Sequence, residues 1–349
     1  MGSAESMRFL ALLVHKGMIT PDHARKALAS GRDPREELVV LGACTRAQLE
    51  IWMRTEAGDR PELKRYELLE LLGEGGTARV WKAKDRTTGA IVALKVLRPA
   101  LAKDQAALAK FVAESKLLLE IDAPQIVKGL RVAREGETYF CAMQIAPGGC
   151  LQTTLERRGR LDADAALHVV AEVAKALEIL HARGLVHRDI KPGNVLWEEG
   201  GSVVLIDLGF AVHEGDVAGD TTAGTVHYIA PEQARAEGGL DVRADIYALG
   251  ATLYHLVTGS LPFEGGSSEE VMRKQVLESL SGEKIRALGL SPQVHYFIEK
   301  MMAKEKEIRF QSPREIVAEI EAYAKQKVLE RSSKDNDEPE RKKRRIRFR

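Results

Sequence analysis

The chain has 349 residues, of which 44% are hydrophobic and 30% charged, and a formal net charge of +1. That composition supports a buried core and argues against a wholly disordered chain. No run approaches the ~18 consecutive apolar residues of a membrane-spanning helix. Three scattered cysteines, Cys44, Cys141 and Cys150, lack metal-ligand spacing and fit reduced thiols in a cytoplasmic setting rather than a disulfide framework.

Residues 1–60 read as helices with an internal repeat. Leu13-Val14-x-x-Gly17-x-x-Thr20-x-x-His23 recurs 25 residues later as Leu38-Val39-x-x-Gly42-x-x-Thr45-x-x-Gln48. Each copy predicts the end of one helix, a glycine where the chain turns, and a threonine N-cap opening the next helix. Pro21 suits the first helical position after Thr20. Two copies are too few for a solenoid. The expectation is a small helical module with an interaction or regulatory role.

Residues 66–327 form the expected main body. Five β-like runs lie at 66–72, 80–85, 91–97, 126–133 and 139–145, and helical patterns at 105–121, 163–183, 244–258 and 313–325. Strands first and helices later predict an α+β fold in two lobes. Between the first two runs stands Gly73-Glu74-Gly75-Gly76-Thr77-Ala78. Glycines in a turn let backbone N–H groups approach phosphate oxygens. Alone, the segment reads equally well as a glycine-rich hairpin. No helix follows it, so it is neither a Rossmann fingerprint nor a P-loop. Lys95 ends the apolar run Val92-Ala93-Leu94, and Glu114 sits in the amphipathic helix after it, where a carboxylate could hold Lys95 by an ion pair. Together the three features favour a nucleotide site.

Next comes His187-Arg188-Asp189-Ile190-Lys191-Pro192-Gly193-Asn194. Asp189 can accept a hydroxyl proton, Asn194 can ligate a metal through its carbonyl oxygen, and Lys191 can neutralise phosphate charge. The run Val203-Val204-Leu205-Ile206 ends at Asp207-Leu208-Gly209, and a carboxylate at a strand end suits Mg²⁺. Farther on stand Ala230-Pro231-Glu232 and Asp245-Ile246-Tyr247-Ala248-Leu249-Gly250. His168, His181, His255 and His295 are scattered on helical stretches, without ligand spacing, and are expected in packing.

In this order the motifs resemble those of the eukaryotic-type protein kinases, and in phrasing most resemble bacterial serine/threonine kinases. The resemblance implies the bilobal protein kinase fold, with a β-rich N-lobe and a helical C-lobe, and use of ATP and Mg²⁺. It implies that Gly73, Glu74, Gly75, Gly76 and Thr77 cover the phosphates, and that Lys95 touches them and pairs with Glu114. Val80 and Ala93 from above and Leu196 from below would sandwich the adenine. Met143 would guard the back of the pocket, with Gln144 to Ala146 as the hinge. Asp189 would orient the acceptor hydroxyl and take its proton, Lys191 would neutralise the transferred group, and Asn194 and Asp207 would hold Mg²⁺. Lys191 and Thr225 imply serine or threonine as acceptor in protein substrates. Arg188 implies activation-loop phosphorylation at Thr221 or Thr222, with autophosphorylation the simplest route. Two positions depart from the pattern: Ala78 replaces the third loop glycine, and Leu208 replaces the usual phenylalanine. The alternative is a pseudokinase scaffold that binds ATP without transfer, although all four of Lys95, Asp189, Asn194 and Asp207 are present.

Residues 328–349 have almost no apolar content and are expected to form a disordered basic tail. Seven of the last nine residues are Lys or Arg, which leaves −6 on the rest of the chain. The tail fits an anionic partner, a membrane surface or nucleic acid, and equally a solvated end.

Overall fold

The computed structural model describes residues 3–15, 18–46, 48–49, 61–214, 226–280 and 289–346. The chain divides into two compact units, Met1–Leu108 with Ala133–Phe140, and Ala109–Val132 with Cys141–Arg349.

The first unit opens with helices α1 (Ser3–His15), α2 (Pro21–Ala29) and α3 (Pro34–Val40). The sequence repeat carries the same helix-closing bond in both copies. Met18 N–H donates to the Leu13 carbonyl and Ala43 N–H to the Leu38 carbonyl, both at 2.9 Å. This bond closes a helix end when the next residue turns left-handed, and Gly42 does so with φ 67°. Thr20 Oγ1 accepts the His23 N–H at 3.2 Å. Thr45 Oγ1 accepts the Gln48 N–H at 3.2 Å, and Gln48 Oε1 reaches back to the Thr45 N–H at 2.8 Å, a reciprocal capping box. Equivalent positions are buried in both copies, Leu13 with Leu38 and Ile19 with Cys44, and Phe9, Leu10, Ala27 and Leu49 complete one apolar cluster.

A five-stranded sheet follows, with β1 (Tyr66–Glu74), β2 (Ala78–Asp85), β3 (Ile91–Leu97), β4 (Gly129–Glu135) and β5 (Thr138–Gln144) in the order β1-β2-β3-β5-β4. Val80 lies opposite Lys95, and Lys82 opposite Ala93, across antiparallel β2 and β3. Because side chains alternate along a strand, Val80, Ala93 and Lys95 share one face.

The second unit is mostly helical. Asp104 caps α4 (Gln105–Glu120), accepting the N–H groups of Ala106 and Ala107 at 2.8 and 3.2 Å. After β6 (Gly149–Cys150) come α5 (Leu151–Arg158) and α6 (Ala163–His181). Short strands β7 (Leu185–Val186), β8 (Val195–Trp197), β9 (Val203–Leu205) and β10 (Val212–His213) carry the polar loops, with β7 paired to β10 and β8 lying between β6 and β9. Helices α7 (Pro231–Ala234), α8 (Val242–Thr258), α9 (Ser268–Leu277), α10 (Pro292–Met301) and α11 (Pro313–Ile346) complete it. Every residue of α8 from Ala244 to Val257 is buried, which makes it a central core helix rather than an amphipathic surface one.

Two boundaries differ most from the sequence reading. The fourth strand begins at Gly129, not at 126, because Ile126 bridges Leu205 and the Val127 N–H donates to the Leu205 carbonyl at 2.9 Å. A Cβ on Gly129 would lie 2.8 Å from the Leu118 backbone, so glycine permits this strand to start against α4. At the other end, α11 continues to Ile346, through the stretch expected to be disordered. Val328 and Leu329 are exposed; beyond them the Lys, Arg and Glu residues are good helix formers, while Ser332, Ser333, Asn336 and Pro339 are not.

Candidate active site

The second unit assembles a polar centre on the loop between β7 and β8. Asp189 is only 3% exposed. Its carboxylate accepts from Lys191 Nζ at 2.8 Å through Oδ2 and at 3.0 Å through Oδ1. Asn194 Nδ2 donates to both the Asp189 carboxylate and the Asp189 carbonyl, each at 2.8 Å. With the amide nitrogen so occupied, the oxygen Oδ1 is the Asn194 atom left for a cation. The Ile206 N–H donates to the Asn194 carbonyl at 3.0 Å, which sets the end of β9, and therefore Asp207, beside the loop.

Asp207 Oδ1 accepts the Gly209 N–H at 3.1 Å. A Cβ on Gly209 would lie 3.1 Å from Asp207 Oδ1 and 3.2 Å from Glu114 Oε2, so glycine lets the buried Glu114 carboxylate close over this turn. Leu208, at the unusual position, is 2% exposed and packs as an apolar residue. A cavity of about 480 Å³ adjoins it, lined among others by Lys110, Lys116, Glu114, Arg188 and Phe210.

Two residues without an assigned role in the sequence reading shape the loop. His187 Nδ1 accepts the Asp189 N–H at 3.2 Å, so its proton sits on Nε2, which donates to the Asp207 carbonyl at 2.5 Å. One ring thus spans Asp189 and Asp207. Asp245, from the first turn of α8, accepts the N–H groups of His187 and Arg188 at 2.7 Å each. Arg188 stands in left-handed backbone with φ 69°, a conformation that side chains disfavour, and those two bonds hold it there. Burial pushes the Asp245 carboxyl above the ordinary carboxylate range, although His187, Arg188 and their N–H groups oppose that shift. In the sequence Asp245 stands out only as the first residue of the segment Asp245-Ile246-Tyr247-Ala248-Leu249-Gly250, which gives it no role.

Four further candidates belong to this unit. Met143 is buried, Gln144 is exposed and Ala146 half-buried. Leu196 lies in β8 opposite Cys150 and Val204.

The first unit carries the other set. Gly73, Glu74, Gly75, Gly76 and Thr77 are exposed at the β1–β2 turn, and Lys95 is nearly buried in β3 on the face shared with Val80 and Ala93. A Cβ added to Gly73 or Gly76 would meet nothing within 4 Å, and one on Gly75 only the Ala78 carbonyl at 3.6 Å. The fold itself makes no demand for glycine there. The demand comes from whatever approaches the loop backbone, and polyphosphate fits it. The paired oxygen donors Asn194 and Asp207 likewise fit Mg²⁺, which takes one or two protein oxygens and leaves its other positions to phosphate and water. Thr221, Thr222 and Thr225 lie outside the described residues.

A model of the protein kinase domain matches residues 66–320. The chain is 34% identical over 265 residues to the serine/threonine-protein kinase PknB of Mycobacterium tuberculosis, an alignment covering 73% of this chain and 42% of that one. It is 32% identical over 277 residues to a protein of Clostridium perfringens named as a probable serine/threonine-protein kinase, covering 78% and 40%. A protein of the same description from Streptomyces coelicolor is 34% identical over 270 residues, covering 74% and 40%. The chain therefore spans about 40% of the length of the curated relatives it matches.

Proposed function

Since the chain belongs to the protein kinase family, we propose that it transfers the γ-phosphoryl group of ATP to serine or threonine of protein substrates. The observation that carries this reading is the Asp189 carboxylate, buried and held at once by Lys191 and Asn194. When bound, Mg-ATP supplies the electrophilic phosphorus and the charge-neutralising cation. Asp189 orients the acceptor hydroxyl and takes its proton. Lys191, already within 2.8 Å of Asp189, places positive charge where the transferred group passes. Asn194 and Asp207 present oxygens to the cation. Lys95 grips the phosphates from the first unit, and pairing with Glu114 is its proposed anchor. The intact contacts around Asp189 favour an enzyme over an ATP-binding scaffold.

Asp189→Ala and Lys95→Met should each abolish transfer from labelled ATP to a generic basic protein without loss of the folded state. Near wild-type transfer by the Asp189→Ala protein would falsify the assignment.

Regulation by autophosphorylation at Thr221 or Thr222 belongs to the same proposal. Its support is Arg188, which lines the cavity beside Glu114 together with Lys110 and Lys116, a recess with cations for a phosphate. The Thr221→Ala/Thr222→Ala double variant should lose most activity and keep ATP binding. Full activity, with no loop phosphate in the wild type by mass spectrometry, would remove this mechanism. For residues 1–60 we propose an interaction module that folds on its own apolar cluster. The cations of 341–349 are proposed to bind an anionic surface, and deletion of that stretch should abolish retention on heparin; unchanged retention would place the binding elsewhere.

A further inference from the structure

The glycine loop between β1 and β2 is exposed along residues 72–77, and its glycines make no close contacts. Packing does not hold it. The β1–β2 ladder pairs its ends, Gly73 with Val80 and Glu74 with Arg79, and the turn itself adds one bond, from the Gly75 N–H to the Ala78 carbonyl at 2.9 Å. The tip, residues 75–77, lies beyond that pairing, and a tip held by its own bond alone would present its N–H groups to phosphate in many positions, each to be narrowed on binding.

One residue outside the loop counters this. Arg98 follows β3 directly, three residues after Lys95. Its backbone N–H donates to the Thr77 carbonyl at 3.0 Å. Its Nε donates to the Gly75 carbonyl at 2.9 Å, and its Nη2 to Glu74 Oε1 at 2.8 Å. A planar guanidinium can meet two acceptors set side by side in this way, whereas an ammonium acts as a single point. Arg79, buried in β2, holds the same Glu74 oxygen through Nη2 at 3.0 Å and Nε at 3.2 Å. Partial burial raises the pKa of Glu74, but the two guanidiniums outweigh it and keep the carboxyl below its ordinary range. The carboxylate is thereby neutralised in a loop that must accept polyphosphate.

We propose that Arg98 is a positioning residue for ATP, its guanidinium fixing the height of the glycine loop over the strand that carries Lys95 through its bonds to Glu74 and Gly75. This deepens the kinase reading and rests on it. The strand is a firm base: Val96 and Leu97 are 5% and 3% exposed. Both groups that meet the phosphates, the loop N–H groups and the Lys95 ammonium, are then referred to one stretch of backbone. As a partly exposed ion pair, with the Arg98 and Glu74 side chains 30% and 28% exposed, the contact has small net worth for stability. A positioning role changes nucleotide affinity instead.

The test uses the full chain with Arg98→Met, Arg98→Lys and Glu74→Gln, alone and combined. Binding of a fluorescent ATP analogue with Mg²⁺ gives Kd without requiring transfer, and hydrogen exchange of the free protein reports the Gly75 amide. Arg98→Met should weaken nucleotide binding about tenfold and raise the KM for ATP in step, with kcat at saturating ATP and the KM for the protein substrate little changed. The Gly75 amide should exchange faster before any nucleotide is added. Arg98→Lys, which keeps charge and stem, should recover less than half of the loss on a logarithmic scale. Adding Glu74→Gln to Arg98→Met should cost less than about twofold more, because the Arg98 bond is already gone and the glutamine Oε1 still accepts from Arg79. Nucleotide affinity within twofold of wild type and an unchanged Gly75 amide would overturn the proposal, as would full rescue by lysine. A wild-type protein that binds Mg-ATP but transfers nothing would sink the kinase reading and leave this one standing.

Discussion

Asp245 offers the sharpest test of how the catalytic loop is held. Its two carboxylate oxygens each accept one backbone N–H, from His187 and from Arg188, at 2.7 Å. Bonds to a charged acceptor are worth ~1.5–3 kcal/mol each, so both together contribute roughly 3–6 kcal/mol. Burial of the carboxylate opposes this, as its raised pKa shows. Asp245→Ala should therefore lower stability by about 2–4 kcal/mol after that offset. Asp245→Asn is the informative variant. Its single carbonyl can serve only one of the two N–H groups, and its NH₂ must face the other, donor against donor. The nearly isosteric change should thus fall within ~1 kcal/mol of the alanine variant rather than near wild type. Arg188 would also lose the bonds that keep it left-handed, a conformation costing ~1–2 kcal/mol for a side-chain-bearing residue. The loop would relax and carry Asp189 with it, and a shift of ~1 Å at a reacting group costs on the order of 100-fold in rate. Urea denaturation and kcat at saturating ATP measure both effects. An asparagine variant within ~0.5 kcal/mol of wild type, with full kcat, would show that the carboxylate is not what holds the loop.

Other expectations concern the frame around the site. Arg309 is fully buried and meets both Glu232 oxygens, at 2.6 and 2.9 Å. Arg309→Met should cost about 3–5 kcal/mol by leaving a buried carboxylate, and Glu232→Gln in that background should return part of it; denaturation midpoints check this. Lys304 is held near pKa 8, below its usual 10.5, first by burial and then by the Arg309 charge. The unfolded chain keeps that proton to higher pH, so stability rises as pH climbs from about 8 toward 10.5. Lys304→Met should remove that rise, read as the wild-type minus variant difference in Tm across the range. In the N-terminal module, Thr45→Ala loses two hydroxyl bonds, one accepted from the Gln48 N–H and one donated to Gln48 Oε1, and should destabilise by ~1 kcal/mol, more than Thr20→Ala, whose hydroxyl makes one cap bond. Equal effects by circular dichroism melting would contradict the bond count.

Much of this architecture was legible because local rules and the fold agree. Thr20 and Thr45 cap helices as their spacing predicts. The third strand covers residues 91–97 as read, and α4 ends one residue earlier than read. The misreadings have long-range or compositional causes. Nothing near Ile126 announces that its backbone is claimed by Leu205, 79 positions away. The charged stretch after 328 has few apolar residues, which says nothing about whether its backbone can be helical. In the site, Asp189, Lys191, Asn194 and Asp207 were visible because residue chemistry and spacing point to them. The roles of His187, Asp245 and Arg309 were not, since each works by bonding a backbone group or a carboxylate that only the folded chain brings near.

The undemanding surroundings of Gly73, Gly75 and Gly76 bear on how this protein responds to engineering. None of the three has the positive φ that would penalise a side chain, and none faces a neighbour that would clash. Alanine at each should therefore raise the melting temperature of the free protein, since replacing glycine where its conformation is not needed gains ~0.4–1 kcal/mol through the unfolded chain. The same methyl groups would stand where phosphate must come against the backbone. A screen for thermostability in the absence of nucleotide would select those changes and with them lose the reaction, so this loop is a place where stability and activity are set against each other by three missing carbon atoms.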